Sequence, residues 1–183
     1  MEKKLVFTND GSHSLFVPEI NECYHSRHGS IVEAEHVFIR NGLLAENRKQ
    51  FNILEVGFGT GLNALLTAQK AKQKNIAVNY HAIELYPVSE KNFKQLNFTD
   101  LIGIENSDLL KLHECSWEKE HEINASFKLT KNKVDLQNYS SIMKFDIIYF
   151  DAFSPEKQPH LWSSQIFKNM YELLNEDGFL VTY

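Results

Sequence analysis

Glu55-Val56-Gly57-Phe58-Gly59-Thr60-Gly61-Leu62-Asn63 decides the fold. Before it, Ile53-Leu54-Glu55-Val56 reads as an apolar strand that stops at Gly57; after it, Leu62 to Lys72 carries Leu62, Leu65 and Leu66 at helical spacing. Glycines between a strand and a helix let a ligand approach backbone N–H groups at the helix start without a Cβ in the way. The spacing separates ligand classes. A dinucleotide site wants a third glycine where Leu62 stands, and a nucleotide-triphosphate loop wants a lysine followed by Ser or Thr, which is missing. What remains is glycine at every second position behind an acid.

Outward from this loop, strands alternate with helices. Val78 to Glu84 is a second strand, with Pro87 where a helix would begin, and Ala125-Phe127-Leu129 alternate as a third. Phe145-Asp146-Ile147-Ile148-Tyr149-Phe150 is a near-continuous apolar run, expected for a strand buried on both faces. Ser163-Ser164 opens a helix bearing Ile166, Phe167, Met170, Leu173 and Leu174; Gly178 is expected to end it, and Phe179 to Tyr183 is a fifth strand. This order predicts a doubly wound α/β domain with a parallel sheet over residues 51–183.

Residues 1–50 differ in kind and are expected to form an appendage, a hairpin plus a helix, packed on that domain. Short apolar runs flank Asn9-Asp10-Gly11, a hairpin-turn sequence. Ser30 to Glu33 has capping-box spacing, Ile31, Ala34 and Phe38 share a helix face, and Asn41-Gly42 predicts a left-handed exit.

Composition sets limits. Hydrophobic residues are 43% and charged residues 23% of 183, ordinary for a globular chain and against disorder or coiled coil. No apolar run approaches the ~20 residues of a membrane span, and no secretory leader precedes Asn9, so a cytoplasmic, monomeric protein is expected. Two cysteines, Cys23 and Cys115, suit a reduced compartment. The net charge of -5 is the wrong sign for gripping nucleic acid by charge alone. His25, His28 and His36 lack the cysteine or acid that would complete a zinc set, so no metal is expected.

The glycine loop looks like that of S-adenosylmethionine-dependent methyltransferases. In that reading Gly57, Phe58, Gly59, Gly61 and Asn63 meet the cofactor, and Glu55 accepts from its ammonium directly or through water. Glu84, closing the second strand, is placed to accept from both ribose hydroxyls. The residue expected at the adenine amino group is Asp135, after the third strand; Asp108 competes but reads as a helix cap.

Asp151-Ala152-Phe153-Ser154-Pro155 follows the buried strand directly, at the carboxyl end where open sheets bind ligands. An acid, an aromatic and a proline there resemble the motif of methyltransferases that act on amino nitrogens. An alkylamine has a pKa of about 10, so its lone pair is mostly masked by a proton at neutral pH. Burial and a neighbouring sulfonium lower that pKa, and an acid such as Asp151 is suited to accept the departing proton and orient the N–H bonds.

From Asp151 to Trp162 the chain is similar to the signature of the MnmC/MnmD family, as are Tyr24 to Gly29 with Glu33, His36 to Phe38, Glu55 to Asn63 and Gly178 to Tyr183. That resemblance implies methylation of the aminomethyl group on a modified wobble uridine in the anticodon region of tRNA (nm5s2U to mnm5s2U), with S-adenosyl-L-methionine as cofactor. It implies Asp151 as the catalytic acid, and Phe153, Pro155, Trp162, Tyr24 and His28 around the substrate. Members of the family continue beyond a fifth strand, so the fold is expected to be truncated there, leaving an apolar edge. A small-molecule amine as substrate, or a silent nucleoside-binding module, are the alternatives.

Overall fold

The computed structural model describes residues 2–183. Two sheets form. The small one is antiparallel, in the order β1-β2-β3, from β1 (Lys4–Phe7), β2 (His13–Val17) and β3 (Glu22–Cys23). The large one has the order β6-β7-β5-β4-β8-β9, from β4 (Gln50–Val56), β5 (Ala77–Ile83), β6 (Glu120–Asn124), β7 (Phe127–Asn132), β8 (Phe145–Phe150) and β9 (Leu174–Val181). All its pairings are parallel except β6 with β7.

Alternating side chains on the central strands bury two different faces. Ile53, Ile147 and Tyr149 point toward α2 (Leu62–Lys74), while Leu54, Val56, Ile148 and Phe150 point toward Ile166, Met170 and Leu173 of α6 (Ser164–Leu173). That double burial is why Phe145–Phe150 is apolar throughout. The chain passes from β4 to one side and returns on the other at β8, which opens a crevice at the carboxyl ends of these neighbours.

Several local expectations are corrected. Ser30 does not cap its helix: Gly29 is the cap residue, and Asp10, in the β1–β2 turn, accepts from Ile31 N–H at 3.1 Å and Val32 N–H at 3.2 Å. Glu33 instead accepts from Ser26 N–H at 3.0 Å. A carboxylate already fixed by Thr8 and Ser12 outcompetes a local hydroxyl. The helix, α1 over Ser30–Ala34, continues as a wider π-type coil through Leu43, so Asn41-Gly42 is no exit. Gly42 lies against Tyr149, whose Cε1 would be 2.9 Å from an added Cβ; close packing explains that glycine. Gly178 does not end α6, which stops at Leu173, but lies inside β9 against the Phe145 carbonyl. Three further helices, α3 (Glu90–Phe93), α4 (Phe98–Ile102) and α5 (Asn106–Glu114), precede β6, and Asp108 lies in the first turn of α5 rather than at its cap.

Candidate active site

The crevice is a cavity of ≈ 820 Å³, within the range of small-molecule sites. Its wall carries Gly57 to Thr60, Asn63, Glu84, Asp135, Asp151 and Phe153, with Tyr24 and Tyr183. Sequence-distant groups therefore converge on one hollow.

The glycine loop is held tightly. Gly57 N–H and Phe58 N–H both donate to the Ile83 carbonyl, at 2.9 and 3.2 Å, and Gly59 N–H donates to Glu84 Oε2 at 2.9 Å. All three glycines have positive φ, which side chains rarely tolerate. The space they free is filled from within the chain. An added Cβ would lie 2.5 Å from the Asp151 carbonyl oxygen at Gly57, 3.0 Å from the Tyr24 ring at Gly59, and 3.1 Å from His113 Nε2 at Gly61. The Phe58 ring points away from the crevice floor, toward His113 and Trp117.

Glu84 accepts a second hydrogen bond, from Tyr86 N–H at 2.8 Å, and each of its oxygens retains a lone pair for a ligand hydroxyl. Asp135 lines the cavity and accepts from Gln137 N–H at 2.9 Å. Glu55 sits behind the wall, fully buried, on the α2 face of β4. Asn63 and Tyr80 lie beside it, yet neither carboxylate oxygen has a hydrogen-bond partner of normal geometry. Burial, then the nearby Asp151 charge, hold Glu55 well above the usual carboxylate range, favouring the neutral acid.

Asp151 is fixed at both ends. Its N–H donates to the Val56 carbonyl at 2.9 Å, and its Oδ2 accepts from Asn63 Nδ2 at 2.8 Å. Burial raises it to about 7 against the lowering by Asn63, with the Glu33 charge adding to the rise. The loop that follows is pinned by its carbonyls: Tyr183 donates to Ala152 O at 2.7 Å and the Trp162 indole N–H to Phe153 O at 2.8 Å. Trp162 thus braces the loop while packing on Phe150. Pro155 and His28 are exposed and, like Trp162 and Gly61, are outside the cavity wall.

The sequence drew attention to His25, alongside His28 and His36, but not to His113. His113, on α5, donates from Nε2 to the Thr60 carbonyl at 2.9 Å, and His25 Nε2 hydrogen-bonds with Thr60 Oγ1 at 3.1 Å. Burial lowers both to about 4, so both are neutral at pH 7. No spacing rule links residues 25, 60 and 113, which meet only once the sheet is built.

Residues 106–183 match a family model described as S-adenosyl-L-methionine-dependent methyltransferase. The crystal structure of MNMC2 from Aquifex aeolicus superposes with a TM-score of 0.79 at 26% identity, over 100% of this chain and 59% of that one. The fold is that of the S-adenosyl-L-methionine-dependent methyltransferases. The chain is also 29% identical, over 97% of its length, to the tRNA 5-methylaminomethyl-2-thiouridine biosynthesis bifunctional protein MnmC of Cupriavidus metallidurans, and 27% identical over 92% to that of Paraburkholderia xenovorans. It spans 28% of the length of either relative.

The wall fits the methyltransferase cofactor. Bound along this wall, the cofactor would set its amino-acid tail by the glycine loop, its ribose hydroxyls by the Glu84 carboxylate and its adenine amino group by Asp135. Glu55, set behind Asn63, would act through that amide rather than by direct contact. Among the described residues, no three His, Cys, Asp or Glu side chains are grouped to hold a metal ion, and no helix is long and apolar enough to cross a membrane.

Proposed function

We propose that this chain transfers a methyl group from S-adenosyl-L-methionine to an amine on tRNA, the aminomethyl group of a modified wobble uridine, giving the methylaminomethyl form. The observation that carries the chemistry is Asp151, a carboxylate near neutral titration at the cavity wall, across from the glycine loop. The names of the MnmC relatives support the substrate. Bound, the cofactor would supply the methyl group as a sulfonium.

The chain's own residues do the rest. Asp151 accepts hydrogen bonds from the substrate nitrogen, turns its lone pair toward the methyl donor, and takes the proton the nitrogen sheds as the N–C bond forms. A carboxyl near 7 suits that task, since it is available as a base at neutral pH without being strongly acidic. Asn63 holds the carboxylate in place from α2. Phe153, on the wall beside Asp151, offers an aromatic edge for a uracil ring, and Tyr24 packs against it with centroids 5.0 Å apart. The domain works as a cytoplasmic monomer in this reading.

A small-molecule amine is the second reading, favoured by the net charge of -5. Incubation with methyl-labelled cofactor and tRNA bearing or lacking the aminomethyl group decides between them. Label confined to the aminomethyl-bearing tRNA is expected. Label on free amines alone would replace the substrate, and tight cofactor binding without transfer would replace the activity. Asp151→Ala should abolish transfer and leave cofactor affinity within about tenfold.

A further inference from the structure

Three residues of the small sheet and its exit, Glu22, Tyr24 and His25, between them touch both sides of the crevice. On one side, His25 Nε2 hydrogen-bonds with Thr60 Oγ1 at 3.1 Å, and the Tyr24 ring packs on Gly59, 3.0 Å from where a Cβ would stand. On the other side, Ser154 Oγ donates to Glu22 Oε2 at 2.9 Å, and Tyr24 meets Phe153 edge-on. Behind them, His25 is anchored to the small sheet: its N–H donates to Ser14 Oγ, and its Nδ1 shares a second hydrogen bond with the same hydroxyl, both at 3.2 Å. Tyr24 N–H donates to the Leu15 carbonyl at 2.9 Å.

Among the described residues the one direct backbone hydrogen bond between the two segments runs from Asp151 N–H to Val56 O. Asn63, just past the glycine loop, adds a side-chain hydrogen bond to Asp151, and among the described residues no such direct bond joins Gly57–Gly61 to Phe153 or Ser154. A rigid bridge across the gap would hold a methyl donor and a proton acceptor at constant separation, and reactions of this kind lose rate steeply when reacting groups are misplaced by about 1 Å.

We propose that Glu22–His25 staple the glycine loop to the Asp151–Pro155 loop, with His25 and Glu22 as positioning residues that set the cofactor against the acid. The catalytic consequence rests on the methyltransferase reading; the staple itself does not. Each end has its own expected effect. His25 governs the loop that faces the cofactor, so its loss should weaken cofactor binding. Glu22 governs the loop that carries the acid, so its loss should slow transfer and spare cofactor binding.

The test uses the full chain with His25→Ala, Glu22→Ala and the conservative His25→Gln and Glu22→Gln, which keep a polar atom near the bonded position. Amide hydrogen exchange of residues 57–62 and 151–154, measured without cofactor, should quicken at least tenfold in the first loop for H25A and in the second for E22A. Affinity for S-adenosylhomocysteine, by calorimetry, should fall at least tenfold in H25A and less than threefold in E22A, while E22A lowers kcat at least tenfold. Both glutamine variants should recover most of each loss. Should the alanine variants fail to fold, Thr60→Val and Ser154→Ala break the same two bonds from the loop side and carry the same expectations. Wild-type exchange in both loops of the folded variants would overturn the staple, as would glutamine variants no better than alanine. Failure of the wild-type chain to bind cofactor or transfer methyl would instead sink the methyltransferase reading, with the exchange data still deciding the staple.

Discussion

Asp151→Asn should make the cofactor-free protein more stable while disabling it, and the gain should depend on pH. Asp151 titrates at about 7 in the folded chain against an ordinary 3.8. A gap of about 3 units corresponds to about 4 kcal/mol at 1.36 kcal/mol per unit. The carboxylate is partly open to the cavity, and water there screens about half of this, leaving about 2 kcal/mol. The sign follows from linkage: the raised folded value costs nothing below about pH 4, costs progressively more between about pH 4 and 7, and reaches its full cost above that. Asparagine keeps the shape and an oxygen to accept from Asn63 but never ionises. In denaturant or thermal unfolding, D151N and wild type should coincide at pH 3.5 to within about 0.5 kcal/mol. By pH 8 the variant should melt higher by about 4–8 °C, at 2–4 °C per kcal/mol for a chain of this size. Methyl transfer at pH 8 should drop at least about 100-fold. A stability difference that stays flat with pH, or a variant less stable at pH 8, would show that Asp151 is not strained in the fold and that its raised titration is wrong.

Four other substitutions probe separate parts of the site. Gly57→Ala places a methyl group 2.5 Å from the Asp151 carbonyl at a positive φ, and should cost about 2–4 kcal/mol in urea unfolding and lose cofactor binding. Glu84→Ala frees Gly59 N–H and Tyr86 N–H, and calorimetry should show cofactor affinity lower by about 10–100-fold. Trp162→Phe removes the brace on the Phe153 carbonyl; unfolding should show a loss of about 1–2 kcal/mol, with kcat reduced and cofactor affinity kept. Tyr80→Phe deletes a buried hydroxyl that has no partner of normal geometry, so stability should stay within about 1 kcal/mol of wild type.

The large sheet was legible because its physics is local and repetitive. Ile53–Val56 and Phe145–Phe150 show two-sided burial in their composition, and the glycine loop advertises the turn between β4 and α2. The location of Asp151 followed from that topology, since a residue just past β8 must open onto the same crevice. Strand β6 was missed because Glu120-His121-Glu122-Ile123-Asn124 is an edge strand, polar and half solvated, with almost no apolar period to read. Caps and glycines misled where the competitor was distant in sequence: Asp10 displaced Ser30, and Tyr149 gave the reason for Gly42. The glycine loop itself was read as space for a ligand, whereas much of that space is taken by Asp151, Tyr24 and His113. Contacts such as His25 with Thr60 depend on two sheets meeting and leave no trace in spacing.

The most direct test is a crystal structure of this chain with S-adenosylhomocysteine. The nucleoside should lie between Gly57–Asn63 and Asp135 with its ribose on Glu84, and its sulfur should open onto the hollow shared with Asp151 and Phe153. Density for the ligand elsewhere, or a sulfur walled off from the Asp151 carboxylate, would contradict the assignment of this crevice to amine methylation.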